Sequence, residues 1–162
     1  MFKSYSKLDT DISLAGINVD GWESISLSRN EANTTRNTSA DGYHGITVSA
    51  DKSGMLELEV IQQNAPVNRA MAALQAEQDR TGDVIYFDIV ISEKSSGVLT
   101  YQKNCYLDVP ASQDLSTDAG SRTWAFFVTN MQFAPDVTGK ATTEAAEALA
   151  FVNTLKNNTA NR

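Results

Sequence analysis

The stretch that decides the fold runs from Ala40 to Gln63, ADGYHGITVSADKSGMLELEVIQQ. Apolar and polar side chains alternate in residues 46–49 and again in residues 56–61, a period of two that is typical of strands with one buried face. The segment between them, ADKSG at residues 50–54, has the composition of a tight turn. The pattern therefore predicts a β-hairpin whose buried face carries Ile46, Val48, Leu56, Leu58 and Val60.

Segments on both sides of this hairpin extend the β pattern. Alternation or β-rich composition predicts further strands at residues 11–19, 23–29, 84–91, 98–109 and 122–133, with Gly16 as a bulge in the first of them. Residues 67–78 instead repeat with the period of an amphipathic helix, and Gly82 is suited to end it. The sum predicts a mainly β, α+β fold: a β-sandwich or open barrel of about seven strands with one flanking helix and a C-terminal helix.

Two segments stand apart from this pattern. Residues 30–45 are polar and rich in Asn and Thr, which predicts a long loop, either a surface loop or one that orders against a neighbouring molecule. Residues 135–162 are predicted to be a C-terminal helical extension of a domain spanning residues 1–134. Within the extension Thr143 is placed to cap a helix. Its apolar stripe consists of Ala145, Ala148, Leu149 and Val152.

Composition limits the classes of function. The chain has 162 residues, 41% of them hydrophobic, which is enough for one domain with a core. Its net charge is −7 and its basic residues are scattered, which argues against binding nucleic acid by phosphate neutralisation. No apolar run approaches the ~18–20 residues that span a bilayer, and the start of the chain has no apolar signal-peptide segment. We therefore expect synthesis in the cytoplasm and no membrane partner.

The chain offers little for catalysis or metal binding. One histidine, His44, and one cysteine, Cys105, cannot fill a zinc site, and Cys105 is in phase with apolar neighbours as a buried residue would be. Asp9 and Asp11 begin no calcium-loop pattern. Glu57 and Glu59 share one face of a strand, roughly 7 Å apart, and are expected to make it acidic. We expect no enzyme activity, no catalytic residue, no metal and no cofactor.

Three stretches carry a resemblance to a known family. They are SADKSG at residues 49–54 with the alternation that follows it, NAPVNRAM at residues 64–71, and GSRTWAF at residues 120–126. With these motifs, residues 4–133 resemble a tail tube protein of contractile-tailed, myovirus-type bacteriophages.

The resemblance implies a structural virion protein in the form of a β-sandwich with a flanking helix. Six copies would form a ring whose hairpins join into one barrel, and the rings would stack into the inner tail tube that conducts DNA during ejection. The implied partners are other copies of the chain and the tail sheath, baseplate and tape measure proteins. DNA would pass through the lumen without specific binding.

The same resemblance suggests roles for two groups of residues. The residues expected to face the lumen are Thr47, Ser49, Glu57 and Glu59. The residues expected to form a contact loop between stacked rings are Asn33, Thr35, Arg36 and Asp41.

Alternatives remain open from the sequence. The related tube ring protein of the type VI secretion system shares the physics of ring formation. A ligand- or glycan-binding β-sandwich would use the glycine-flanked aromatic pair Trp22 and Tyr43. A hydrolase would have to rely on His44 and loosely placed carboxylates.

Overall fold

The computed structural model describes residues 7–63, 65–93, 98–133 and 150–157. After a 3-10 turn at Lys7–Asp9, the strands and the helix are β1 Thr10–Leu14, β2 Ile17–Asn18, β3 Trp22–Arg29, β4 Thr34–Thr38, β5 His44–Val48, β6 Gly54–Ile61, α1 Ala65–Thr81, β7 Phe87–Glu93, β8 Val98–Val109 and β9 Ser121–Val128. Residues 150–157 are helical.

Seven of the strands form one antiparallel sheet in the order β2-β1-β7-β8-β9-β6-β3. The inward side chains of β1, β6, β7, β8 and β9 all belong to a single core, so the sheet must curl around it. Residues of β1, β7 and β8 face residues of β3 across a cleft of about 370 Å³, where the two ends of the sheet approach each other. This confirms the predicted mainly β fold, in the form of an open barrel.

Helix α1 covers the core from one side, as its periodicity predicts. Val67 and Met71 are buried in the core, and the buried Asn68 amide accepts a hydrogen bond of 3.1 Å from the Trp124 indole. The helix ends at Gly82, which adopts a left-handed φ of 71°. Because an indole N–H in a core needs an acceptor, Asn68 fixes how the helix lies on the sheet.

The predicted pairing of the central hairpin is wrong. Strand β5 pairs with β4, which lies inside the segment predicted to be a loop, and these two strands form a separate sheet. Strand β6 instead pairs with β3 on one side and β9 on the other. The reason is burial: Leu56, Leu58 and Val60 fill the core, and in the main sheet β6 gains a partner on each side. Ile46 and Val48, predicted to be buried, are 67% and 74% exposed.

The remaining differences concern strand ends. Residues 11–19 form two strands around a turn at Ala15 and Gly16, both with positive φ, so Gly16 makes a turn rather than a bulge. Strand β7 begins at Phe87, and β9 ends at Val128. The predicted domain boundary at residues 134–135 lies outside the described residues. The same holds for Thr143, Ala145, Ala148 and Leu149 of the predicted C-terminal helix. Val152 is described, and it is exposed in the helical residues 150–157.

A short segment after β9, residues 129–133, closes one end of the barrel. Met131 is fully buried, and its N–H donates to the Lys52 carbonyl at 2.8 Å. The buried Gln102 side chain binds the Gln132 backbone in both directions, donating to its carbonyl at 2.6 Å and accepting from its N–H at 3.1 Å. We call residues 129–133 the closing segment.

The β4–β5 hairpin leaves the barrel beside this closing segment, and Arg29 joins the two. Its guanidinium donates to the Asn33 side-chain oxygen at 2.8 Å and to the Met131 carbonyl at 2.9 Å. It also lies 5.7 Å from the centre of the Phe133 ring. One side chain therefore holds the base of the hairpin and the closing segment in a fixed relation.

We expect Gly54→Ala to destabilise the fold by about 1–3 kcal/mol, the usual cost of overpacking a core. An added Cβ would lie 2.5 Å from the Ser28 carbonyl oxygen and 2.7 Å from the Met131 sulfur. Gly45→Ala is the matched control, because its Cβ would meet nothing closer than 3.8 Å. Urea unfolding of both variants checks this, and equal midpoints would contradict it.

We expect Arg29→Gln to lower the free energy of unfolding by about 1–3 kcal/mol, since two charge-assisted hydrogen bonds are lost. Amide hydrogen exchange should also become faster in residues 30–33 and 129–133 together. Arg36→Gln, on the exposed part of the hairpin, is the control and should change neither. Faster exchange confined to one of the two segments would show that Arg29 does not couple them.

Candidate assembly surface

The β4–β5 hairpin has two different faces, which follow from its register. Thr35 lies opposite Thr47 and Asn37 opposite Gly45, so one face is small, polar and uncharged. Arg36 lies opposite Ile46 on the other face, and the neighbouring pairs on that face are Thr34 with Val48 and Thr38 with His44. Every residue of both strands is exposed. The second face thus presents two β-branched apolar side chains and one cation to the surroundings.

The hairpin strands also have open edges. Among the described residues, β4 and β5 pair only with each other, so each has an outer row of backbone groups outside any sheet. A two-stranded hairpin is marginal in water, and open edges readily pair with another chain. The hairpin edges and its apolar face are thus free to pair with another strand.

The outer face of the main sheet forms a second surface, made of ordered rows across β3, β6 and β9. Ser24, Glu59 and Thr123 make one row, and Ser26, Glu57 and Ala125 make the next. Ser24 donates a hydrogen bond of 3.0 Å to the Glu59 carboxylate. The sheet presents serines and two carboxylates on the side opposite the core, as predicted for Glu57 and Glu59.

The residues predicted to share a lumen surface lie on two different sheets. Glu57 and Glu59 are on the main sheet, whereas Thr47 is on the hairpin and Ser49 is at its base, where its hydroxyl donates to Glu31 at 3.1 Å. Of the predicted contact-loop residues, Asn33, Thr35, Arg36 and Asp41 are all exposed in or beside the hairpin. Thr35 and Arg36 occupy opposite faces, so one flat contact cannot use both side chains.

An aromatic cluster on the same outer face was not predicted from the sequence. The Tyr86 and Tyr106 rings meet edge to face at 5.8 Å, and Tyr106 stacks on Phe127 at 5.1 Å. Partial burial, with the nearby Asp108 charge, raises the pKa of the Tyr106 hydroxyl. The signal was present in the sequence: Tyr106 and Phe127 are out of phase with the inward residues beside them, so they must face outward.

The structure does not support the aromatic pair suggested for glycan binding. Trp22 is only 8% exposed and belongs to the core, while Tyr43 is 79% exposed at the tip of the hairpin. A buried ring offers no face on which a sugar could stack. That prediction is wrong for Trp22.

The groups considered for catalysis have other contacts. His44 Nδ1 lies 3.0 Å from the Thr38 hydroxyl across the hairpin. Cys105 is fully buried, and burial together with the Asp88 charge raises the pKa of its thiol to about 12. No group of three or more His, Cys, Asp or Glu residues suited to a metal ion occurs in the described part of the chain. None of the described helices is long and apolar enough to cross a membrane.

No protein-family model matches this chain, and no curated protein sequence does. Solved structures do resemble it. The tube-terminating cap of the anti-feeding prophage matches with a TM-score of 0.59 at 13% identity, over 82% of this chain and 91% of the cap protein. The PVC sheath/tube terminator of an extracellular contractile injection system matches at 0.54 and 15% identity, over 80% of this chain and 96% of the other.

A third similar structure is the sheath–tube complex of the same kind of injection system, with a TM-score of 0.53 at 13% identity over 80% of this chain and 90% of the other. At these identities the likeness concerns the fold. The chain thus shares its fold with tube-terminator and sheath–tube proteins of contractile injection systems.

Proposed function

We propose that this chain is a structural subunit of the inner tube of a contractile tail. In this proposal six copies form a ring, rings stack into a tube, and the tube conducts DNA during ejection. The observation that carries the proposal is the exposed β4–β5 hairpin, with its open edges and its Ile46 and Val48 side chains, on a body with the fold of tube-associated proteins.

Ring closure would remove the features that a lone copy leaves exposed. Strand β3 is the last strand of the main sheet, so no strand of the described part of the chain pairs with its outer edge, in addition to the hairpin edges. Joining such edges from copy to copy around an axis produces a closed barrel without free edges. Contact between copies would also bury the apolar side chains of Ile46 and Val48, and burial of apolar surface favours association. The open strand edges and the exposed apolar side chains of one copy thus both favour ring formation.

The acidic outer face suits a lumen through which DNA moves. Double-stranded DNA carries about one negative charge per 1.7 Å, so a wall with Glu57 and Glu59 repels it and prevents it from sticking. Leu56 and Leu58 point the other way into the core, which leaves the polar face as the one available to the lumen. We assign Glu57 and Glu59 to the lumen wall, with Thr47 and Ser49 of the hairpin beside them.

The assembly would place the chain in the tail of a virion, in contact with tail sheath, baseplate and tape measure proteins. Two of the similar structures are described as a sheath/tube terminator and a sheath–tube complex, and a fourth, with a TM-score of 0.51, is a six-fold symmetrised baseplate of the anti-feeding prophage. In this proposal the exposed residues Asn33, Thr35, Arg36 and Asp41 form the contact between rings, with Thr35 and Arg36 acting on opposite faces of the hairpin. The role is structural, without enzymatic activity.

A tube-terminating ring is the second candidate. It is favoured by the TM-score of 0.59 with the anti-feeding prophage cap, against 0.53 with the sheath–tube complex. A terminator would form rings that do not stack on themselves, whereas a tube subunit forms tubes of growing length. The tube ring protein of a type VI secretion system remains a further alternative, because ring formation would rest on the same open edges and apolar side chains.

Electron microscopy of the purified chain over a concentration series tests the proposal. We expect rings of uniform diameter that stack into hollow tubes, whereas single rings at every concentration would indicate a terminator. Ile46→Asp with Val48→Asp should abolish the rings, because two carboxylates would have to be buried at the contact. Leu115→Asp, at an exposed position of the β8–β9 connection, is the control. Monomers at all concentrations would overturn the proposal.

A nuclease-protection assay tests the lumen assignment. Tubes of Glu57→Lys with Glu59→Lys, assembled in the presence of short DNA duplexes, should retain DNA that nuclease cannot digest. Tubes of Asp79→Lys with Asp83→Lys have the same charge change on exposed positions at and beyond the end of α1, and their bound DNA should stay digestible. Equal digestion of both samples would remove Glu57 and Glu59 from the lumen.

A further inference from the structure

Two patches on the two different sheets of the chain have complementary properties. The hairpin patch consists of Arg36, Ile46 and Val48, on one face of the β4–β5 hairpin. The aromatic patch consists of Tyr86, Tyr106, Asp108 and Phe127, on the outer face of the main sheet.

The hairpin patch combines apolar surface with one positive charge. Ile46 lies directly opposite Arg36, and Val48 follows on the same face. Arg36 is the one residue of β4 and β5 with a permanent charge. An arginine flanked by β-branched side chains is suited to a surface that offers both aromatic rings and a carboxylate.

The aromatic patch offers that combination. Tyr86 is 58% exposed, and its ring stands against Tyr106, which stacks on Phe127. Asp108 is exposed two residues after Tyr106 on β8, at a point where the register with β9 shifts, and its charge contributes to the raised pKa of the Tyr106 hydroxyl. The aromatic patch therefore has three rings and, beside them, the exposed carboxylate of Asp108.

The two patches do not cover each other within one copy, because Ile46, Val48 and Tyr86 are all largely exposed. Their separation on the same chain matters, since a patch that fits a different patch makes a head-to-tail contact. Such contacts repeat from copy to copy and close into a ring or extend as a stack, which is the symmetry that the proposed function requires.

We propose that the hairpin patch of one copy docks on the aromatic patch of a second copy, with Arg36 beside Asp108 and Ile46 and Val48 on the rings. This contact rests on the proposed function and specifies which surface receives the hairpin. Docking would also cover Phe127, which lies in the row next to Glu57, and so remove aromatic surface from beside the acidic wall.

A charge exchange tests the pairing in the full chain. Arg36→Asp and Asp108→Arg, each alone, should raise the concentration at which half of the protein is assembled about tenfold or more, because each brings like charges together. The double variant should return that concentration to within about threefold of the wild-type value, since the pair is restored in reverse. Arg69→Asp and Asp114→Arg repeat the same charge changes at exposed positions outside both patches and should have no effect. Sedimentation velocity measures the assembled fraction.

The outcomes separate this contact from the proposed function. If wild-type rings form but the double variant stays as defective as the single ones, the hairpin docks elsewhere and the ring proposal survives. If the single variants assemble like the controls, the contact is likewise wrong. If the wild-type chain never assembles, both proposals fail.

A cross-link gives a second, independent readout. Chains with Arg36→Cys are mixed with chains with Asp108→Cys under mild oxidation, and the buried native Cys105 stays unreactive. A disulfide that joins one chain of each kind, in greater yield than in either variant alone, is expected. Its absence from assembled samples would overturn the docking model.

Discussion

The structure depends on the burial of one face of β6. Leu56, Leu58 and Val60 are fully buried, and the strand is paired along its length with β3 on one side and β9 on the other. Apolar burial of this kind is the main favourable term in folding, and backbone pairing on both edges adds to it without leaving an unsatisfied group. The sheet curls because its other strands must turn their inward side chains to the same core.

This constraint also determines what remains outside the barrel. With both edges of β6 occupied, the polar segment before it cannot pair with β6, and it pairs with itself instead. The resulting hairpin carries its apolar side chains into solvent and is held to the body at its base by Arg29. Ile46 and Val48 are therefore exposed because side chains of other strands fill the core, and contact with another molecule would be needed to bury them.

The sequence predicted those parts of the fold that depend on local pattern. Six predicted strands of the main sheet, the first of which divides into β1 and β2, follow from the period of two or from β-rich composition, as does the outward placement of Glu57 and Glu59. The helix followed by Gly82 is predicted from the period of 3.6. Pairing could not be predicted in the same way. Ile46 and Val48 alternate with polar residues as clearly as Leu56 and Leu58 do. Which strands pair with β6 therefore depends on which apolar side chains are buried in the core, and the local pattern does not give this. The strand at residues 34–38 was missed because Thr and Asn are common in both loops and exposed strands. The aromatic cluster needed the register of β8 and β9 before its members could be placed side by side.

The closing segment has a mechanical consequence. Phe133 lies beside Arg29 at the base of the hairpin, so a pull transmitted to residue 133 acts first on residues 129–133. Those residues are held by hydrogen bonds with the Gln102 amide, the Lys52 carbonyl, the Asn104 carbonyl and the Arg29 guanidinium. These are few compared with the backbone hydrogen bonds between the strands of the barrel. Under load this segment would yield before any strand does, and the release of Met131 would free the hairpin base from the body while the barrel keeps its shape.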